Sequence, residues 1–267
     1  MNKKTKYMLS EGLKFVAPSF VFDFEHDEKN DVIELNGSLK SSKIFENTYF
    51  FQYEFGNDVS SKTRSDFIHA LKFDQDLLGK ENINKFINKA LVNLNKAINL
   101  STVDIILYPQ SSSLLTKNIV DKIDYFTDAD KYIKIELAKK QISEINFNWS
   151  KFEKYCELKN ISSNTKEIMA RKMNKMLDNI QSLDYFSIAK NIKDQKYKRF
   201  LKNIYKFYDS NSIKLLQMIK DKKILIVDDI YTSGITIEQI IKAYQMLDPD
   251  DSNVIIAFTL IGKVKDN

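Results

Sequence analysis

Cysteine is nearly absent. The 267-residue chain has Cys156 alone, which excludes an internal disulfide and a cysteine-built zinc site. Histidine is as scarce, with only His26 and His69, so a histidine-based metal centre is not expected. Three prolines and six glycines leave no Pro/Gly-rich linker, and Gly234 is the one glycine between Gly79 and Gly262. No G-x-x-x-x-G-K-[ST] loop exists, which removes a P-loop nucleotide triphosphatase from consideration. No stretch approaches the ~18 apolar residues of a membrane span. Residues 1–15 are polar and basic and lack the apolar stretch of a signal peptide. The expected location is the cytoplasm, with no membrane partner.

Hydrophobic residues make up 43% of the chain, enough to fill a sizeable core. Periodicity gives a coarse layout. Residues 15–55 read as short strands with turn residues between, and 66–77 and 82–98 repeat as helices, the second with Ile83, Phe86, Ile87, Ala90, Leu91, Leu94 and Ile98 at helical spacing. A buried strand is expected at 103–108, a helix at 114–123 and a second core strand at 132–137. Residues 143–221 look mostly helical. A strand then precedes a helix at 237–247 and a last strand at 254–260. This order indicates an α/β fold: a parallel sheet flanked by helices, with an N-terminal β-rich region over 1–100 and a core over 101–267 that carries a helical insertion at about 143–221.

The densest chemistry lies in Ile224-Leu225-Ile226-Val227-Asp228-Asp229-Ile230-Tyr231-Thr232-Ser233-Gly234-Ile235-Thr236. Four aliphatic residues in a row suit a strand buried on both faces. Two carboxylates fall where that strand should end, and hydroxyl residues surround a glycine. Thr236 and Gln239 are spaced as a capping box opening the next helix. Hydroxyls, bare backbone and a helix N-terminus suit a phosphate. The two acids offer only acceptors, which suits vicinal sugar hydroxyls or a hydrated metal. The implied ligand is a sugar phosphate. The plain alternative is a βα turn with a solvated acidic pair, and in that case Asp229→Asn should be nearly neutral.

Tyr108-Pro109-Gln110-Ser111-Ser112-Ser113 is the second candidate segment. It follows a buried strand and enters a helix, which Ser112 or Ser113 could cap. Its hydroxyls and free amides are again suited to an anion.

The run at 224–236 resembles the PRPP (5-phosphoribosyl-1-diphosphate) signature of the type I phosphoribosyltransferases: four hydrophobic residues, two acids, two variable residues and a Thr/Ser/Gly-rich loop. Tyr231 is bulky where that family usually has a smaller aliphatic. The resemblance covers roughly residues 101–264. It implies a type I phosphoribosyltransferase-like sheet and transfer of phosphoribose from PRPP to a nitrogenous base or amide, with release of pyrophosphate. Asp228 and Asp229 would be the catalytic pair, holding the ribose hydroxyls and, through water, the Mg2+ cofactor. Thr232, Ser233, Gly234, Ile235 and Thr236 would wrap the 5-phosphate. Gln110, Ser111, Ser112 and Ser113 would face the pyrophosphate, although the family's glycine and neighbouring basic residue are missing there. Lys117, one turn into the helix, could stand in.

Thr232 occupies a position where 6-oxopurine enzymes carry an aspartate, so that acid-base role is not expected. The run is most similar to the ComF-type subgroup, and Arg199, Asn203 and Phe207 add a weaker likeness. The Cys-rich zinc element of ComF proteins is absent. Two further functions stay open: a PRPP- or nucleotide-binding regulator without turnover, and a ComF-like accessory of nucleic-acid processing. Base selection would fall to a hood formed by residues 15–55 or by the insertion. A homodimer is compatible with the family.

Residues 151–222 hold 17 Lys/Arg and 8 Asp/Glu, a balance of +9 against +5 for the whole chain. Aromatics are interleaved: Phe152, Tyr155, Tyr185, Phe186, Tyr197, Phe200, Tyr205 and Phe207. Such a segment can present nucleic acid with cations and stacking rings. It can equally be a set of helices with the aromatics as the buried stripe, since Phe200, Ile204, Phe207 and Tyr208 fit helical spacing. Its place in the chain is that of the family's closing loop, and Lys198, Arg199 and Lys202 would then be the residues that reach a phosphate.

Overall fold

The computed structural model describes residues 14–16, 19–26, 29–44, 46–56, 59–73, 75–111, 113–127, 131–183, 191–192, 194–202, 204–248 and 252–262. In chain order the elements begin with β1 (Lys14–Val16), β2 (Ser19–His26), β3 (Lys29–Asn36), β4 (Lys40–Ile44) and β5 (Asn47–Phe55). Helices α1 (Ser61–Phe73), α2 (Gln75–Leu78) and α3 (Lys80–Ile98) follow, then β6 (Ile105–Pro109), α4 (Leu115–Ile123) and β7 (Ile133–Lys139). Next come β8 (Asn146–Phe147), α5 (Trp149–Leu158), α6 (Ser163–Gln181), β9 (Leu201–Lys202) and β10 (Tyr205–Phe207). The helix Ser210–Met218, β11 (Lys223–Ile230), the helix Ile235–Gln245 and β12 (Val254–Ile261) complete the chain.

Two compact units divide these elements. The first comprises Met1–Ile135, Lys220–Thr232 and Ser252–Asn267. Its centre is parallel: β5, β12, β11 and β6 lie side by side in that order. Strand β7 begins on the far side of β6, while β3 and β4 pair antiparallel with β5, and β3 leads out through β2 to β1. The fold is therefore α/β, with a mixed, mostly parallel sheet flanked by helices.

Apolar runs explain the parallel centre. Every residue of β11 from Ile224 to Ile230 is buried, as is every residue of β12 after Val254. A strand covered on both faces has no need of alternation. On one face α3 inserts the stripe Ile83, Phe86, Ile87, Ala90, Leu91 and Leu94. Phe67 and Leu71 of α1 and Ile119 and Val120 of α4 join it in one core with Leu225, Val227 and Phe258. Each such Leu, Ile, Val or Phe side chain contributes roughly 1.5–3 kcal/mol when fully buried. Tyr53 of β5 stacks on Phe86 at 3.8 Å between ring centroids, and its hydroxyl donates to the Phe86 carbonyl at 2.8 Å.

Residues 47–55 thus form a strand of the core sheet, whereas the sequence assigned them to a hood. Their register is continuous with β12, from Ile256↔Thr48 to Ile261↔Tyr53.

The second unit comprises Glu136–Ile219 and Ser233–Asp251. The Asn148 side chain caps α5 by accepting from the Lys151 amide, and Ser162 caps α6 by accepting from the Thr165 amide. Residues 201–202 and 204–207 are not helical as their spacing suggested. Leu201 and Lys202 pair with β8, and Tyr205–Phe207 pairs with the end of β7. Tyr205 and Phe207 alternate with Lys206 as buried, half-buried, buried, the period of a strand. The apparent helical period came from four apolar residues too few to separate the two patterns.

Candidate functional site

Strand order locates the crevice. In chain order β6 comes first, yet β7 and β11 lie on its two opposite sides. Winding therefore reverses between β6 and β11, and in open α/β sheets ligands bind beyond the carboxyl ends of the strands at that reversal. The two segments singled out in the sequence are the carboxyl ends of these two strands.

Strand β11 continues through both acids to Ile230 rather than ending before them. Side chains alternate along a strand, so Asp228 and Asp229 leave on opposite faces. Both are buried, at 8% and 3% exposure, so the pair is not a solvated turn. Oδ1 of Asp228 accepts from the Asp229 amide at 2.9 Å. Asp229 uses both oxygens: Oδ1 is 2.7 Å from Nζ of Lys72, and Oδ2 accepts from the Ser113 hydroxyl at 3.3 Å.

Ser113 is itself buried, and its amide donates to Oγ of Ser111 at 3.1 Å. Gln110 and Ser111 are exposed, and Ser112 lies outside the described residues. The expected cap by Ser113 is not formed. The N-cap of α4 is Leu114, with no side-chain cap, because the Ser113 hydroxyl is directed to Asp229 instead. Thr116, in the first turn and 1% exposed, has an Oγ1 with no hydrogen-bond partner. Lys117 is exposed on the same helix.

Lys72 escaped the sequence reading. It sits in the last turn of α1, where the helix dipole favours a cation. Its side chain is 24% exposed. Burial pushes the ammonium down, but the charges of Asp229 and Asp228 and the hydrogen bond to Asp229 outweigh this and hold it above the ordinary lysine range. No local pattern distinguishes Lys72 from the other basic residues of a lysine-rich chain.

Tyr231 receives an explanation. Its ring lies 4.8 Å from that of Tyr49, and its amide donates to the Ile261 carbonyl at 2.8 Å. The Tyr49 hydroxyl is 2.7 Å from Oγ1 of Thr259. Burial drives that hydroxyl far above the ordinary phenol range; the Thr259 bond opposes this, while Tyr231 and Asp228 reinforce it.

Thr232, exposed, is the last signature residue of the first unit. In the second unit, Ser233, Gly234 and Thr236 are half-buried and Ile235 is buried. The capping box of Thr236 and Gln239 is absent. The helix starts earlier, at Ile235, behind a left-handed Gly234 with φ 72°, and no side chain caps it. Gln239, buried, instead donates to the Leu201 carbonyl at 3.0 Å. Only glycine adopts such a φ without strain. Oγ of Ser233 is buried and has no hydrogen-bond partner.

The basic insertion buries most of its described rings. Phe152, Tyr197 and Phe200 are at most 1% exposed, and Phe152 meets Phe200 edge-on at 5.4 Å. These rings cannot stack on bases. Tyr155 is half-buried with the Arg199 guanidinium 5.2 Å from its ring centre. Tyr185, Phe186 and Asn203 lie outside the described residues. Lys198 is 7% exposed, and burial holds its ammonium below the ordinary range. Arg199 is exposed and Lys202 half-buried.

Among the described residues no three His, Cys, Asp or Glu side chains cluster as metal ligands. A magnesium ion would have to arrive on phosphate oxygens, keep its waters and meet the protein through few carboxylates, the common mode for this ion. Asp228 and Asp229 fit that outer role. Among the described residues no helix is long and apolar enough to cross a membrane. Compared with protein-family models and with curated proteins, the chain gives no match.

Proposed function

We propose that the chain is a type I phosphoribosyltransferase-like enzyme that binds PRPP and passes its phosphoribosyl group to a nitrogen acceptor. One observation carries this reading: Ser113 donates to Asp229 across 116 positions of sequence, joining the two candidate segments at the switch point of the sheet.

The acceptor nitrogen would attack C1 of the ribose with its lone pair. The C1–O bond breaks, pyrophosphate leaves with the bonding electrons, and the nitrogen's proton passes to solvent. Asp228 and Asp229 accept hydrogen bonds from the ribose hydroxyls, and their charge stabilises the positive C1 that develops. Thr232, Ser233, Gly234, Ile235 and Thr236 take the 5-phosphate, using the orphan hydroxyl of Ser233 and the uncapped amides of the helix Ile235–Gln245. Gln110, Ser111, Ser112 and Ser113 face the pyrophosphate. Mg2+ held on the pyrophosphate, and through water on the two acids, would neutralise charge on the leaving group. Much of the catalysis is positioning.

A second reading, binding of PRPP or a nucleotide without turnover, is favoured by the Lys72–Asp229 contact at 2.7 Å. A carboxylate already paired attracts a hydrated metal less. Release of pyrophosphate from PRPP and Mg2+ with a panel of bases and amides decides between the two. Release with one acceptor supports the enzyme. Calorimetric PRPP binding without release supports the regulator, and no binding heat at all overturns both.

A further inference from the structure

The two site segments contain no cationic residue. Residues 108–113 and 228–236 offer hydroxyls, an amide and two acids, but no lysine, arginine or histidine. A ligand carrying phosphate and pyrophosphate would meet two buried carboxylates there and be repelled. Lys72 of α1, outside both segments, places its ammonium 2.7 Å from Oδ1 of Asp229.

We infer that Lys72 is the pyrophosphate-binding residue of the site, parked on Asp229 until the ligand arrives. The inference rests on the PRPP reading and adds to it the cation that neither site segment contains. Three features support it. First, Ser113 and Lys72 bind the two oxygens of one carboxylate, so the ammonium stands beside the hydroxyl that closes the segment after β6. Second, the side chain keeps 24% of its surface exposed, so it is not fully enclosed. Third, a lysine is a point charge on a flexible stem, able to turn from a carboxylate to a phosphate oxygen without moving its helix. Charges of Asp229 and Asp228 keep it protonated for that exchange. Lys117, the stand-in suggested by sequence, is exposed on α4.

The test uses inorganic pyrophosphate and ribose 5-phosphate as separate calorimetric probes on the full chain. Lys72→Gln keeps a donor for Asp229 and removes the charge; Lys72→Arg keeps the charge. The expected result is a loss of pyrophosphate affinity of at least tenfold in Lys72→Gln, near-normal affinity in Lys72→Arg, and unchanged affinity for ribose 5-phosphate in both. Should Lys72→Gln not fold, the pair Lys72→Gln with Asp229→Asn, which leaves no unpaired charge, is compared with Asp229→Asn alone, and the same tenfold loss is expected. Equal pyrophosphate affinity in the charged and uncharged variants overturns the role of Lys72 and leaves the PRPP reading standing. Wild-type protein that binds neither probe overturns both.

Discussion

Tyr49 and Tyr231 pack ring to ring, 4.8 Å apart and tilted by 31°, so that the first residue beyond β11 is held against a strand from the N-terminal third. Asp228, Asp229 and the start of the signature loop are therefore braced by β5. Tyr231→Val, which installs a smaller aliphatic, removes that brace. Urea denaturation should show a loss of about 2–4 kcal/mol, somewhat below the ~3–5 kcal/mol of cutting a buried aromatic to alanine. A change within about 0.5 kcal/mol would mean that the ring is not packed.

Asp229→Asn should abolish PRPP binding, because the amide replaces one acceptor oxygen with a donor and removes the charge. The near-neutral stability expected of a turn does not hold for a carboxylate 3% exposed and bonded to Lys72. Since the lysine can still reach water, the cost should be about 1–3 kcal/mol, below that of orphaning a fully buried charge. Thermal unfolding of the variant without ligand measures it, and unchanged PRPP heat would refute the site.

Alkaline stability has two components of opposite sign. Lys72 is raised in the fold, so its contribution is complete below the unfolded lysine value of about 10.4 and disappears as pH climbs through the folded value. Lys72→Arg, which does not titrate there, should flatten the fall in stability above pH ~10.4. A difference confined to lower pH would contradict this assignment.

Lys198 is lowered by burial, so the unfolded chain binds its proton more tightly and stability rises with pH toward the unfolded value. At neutral pH the charge opposes folding. Lys198→Met keeps the stem and removes the ammonium, and its thermal midpoint at pH 7 should exceed that of the wild type. A lower midpoint would show that the ammonium has a stabilising partner.

Gly262→Ala should be badly tolerated. A Cβ there would lie 2.1 Å from the Tyr49 hydroxyl and 2.7 Å from Cβ of Phe51. Overpacking of this kind typically costs ~1–3 kcal/mol. A wild-type unfolding midpoint would place Tyr49 elsewhere and remove the brace argued above.

Much of the fold was legible because local pattern and tertiary role agree. The α3 stripe, the apolar run of β11 and the βα turn at Gly234 all follow from residues within a few positions of one another. Residues 201–202 and 205–207 form strands instead of helix, since their pairing with β8 and β7 is decided by partners far along the chain. The caps expected at Ser113 and Thr236 are absent for a related reason. A hydroxyl or amide takes the partner that the fold brings nearest, and here those were Asp229 for Ser113 and the Leu201 carbonyl for Gln239.

The sequence by itself determined that the chain has two hydroxyl-rich segments, each at the end of a buried strand and each opening a helix, because strand burial and glycine geometry are local properties. Only the tertiary structure decided that these segments meet, that the acids leave the strand on opposite faces, and that Lys72 supplies the cation beside them. Strand order and ion pairing join residues from distant parts of the chain, and a lysine pattern carries no mark of the carboxylate it will find.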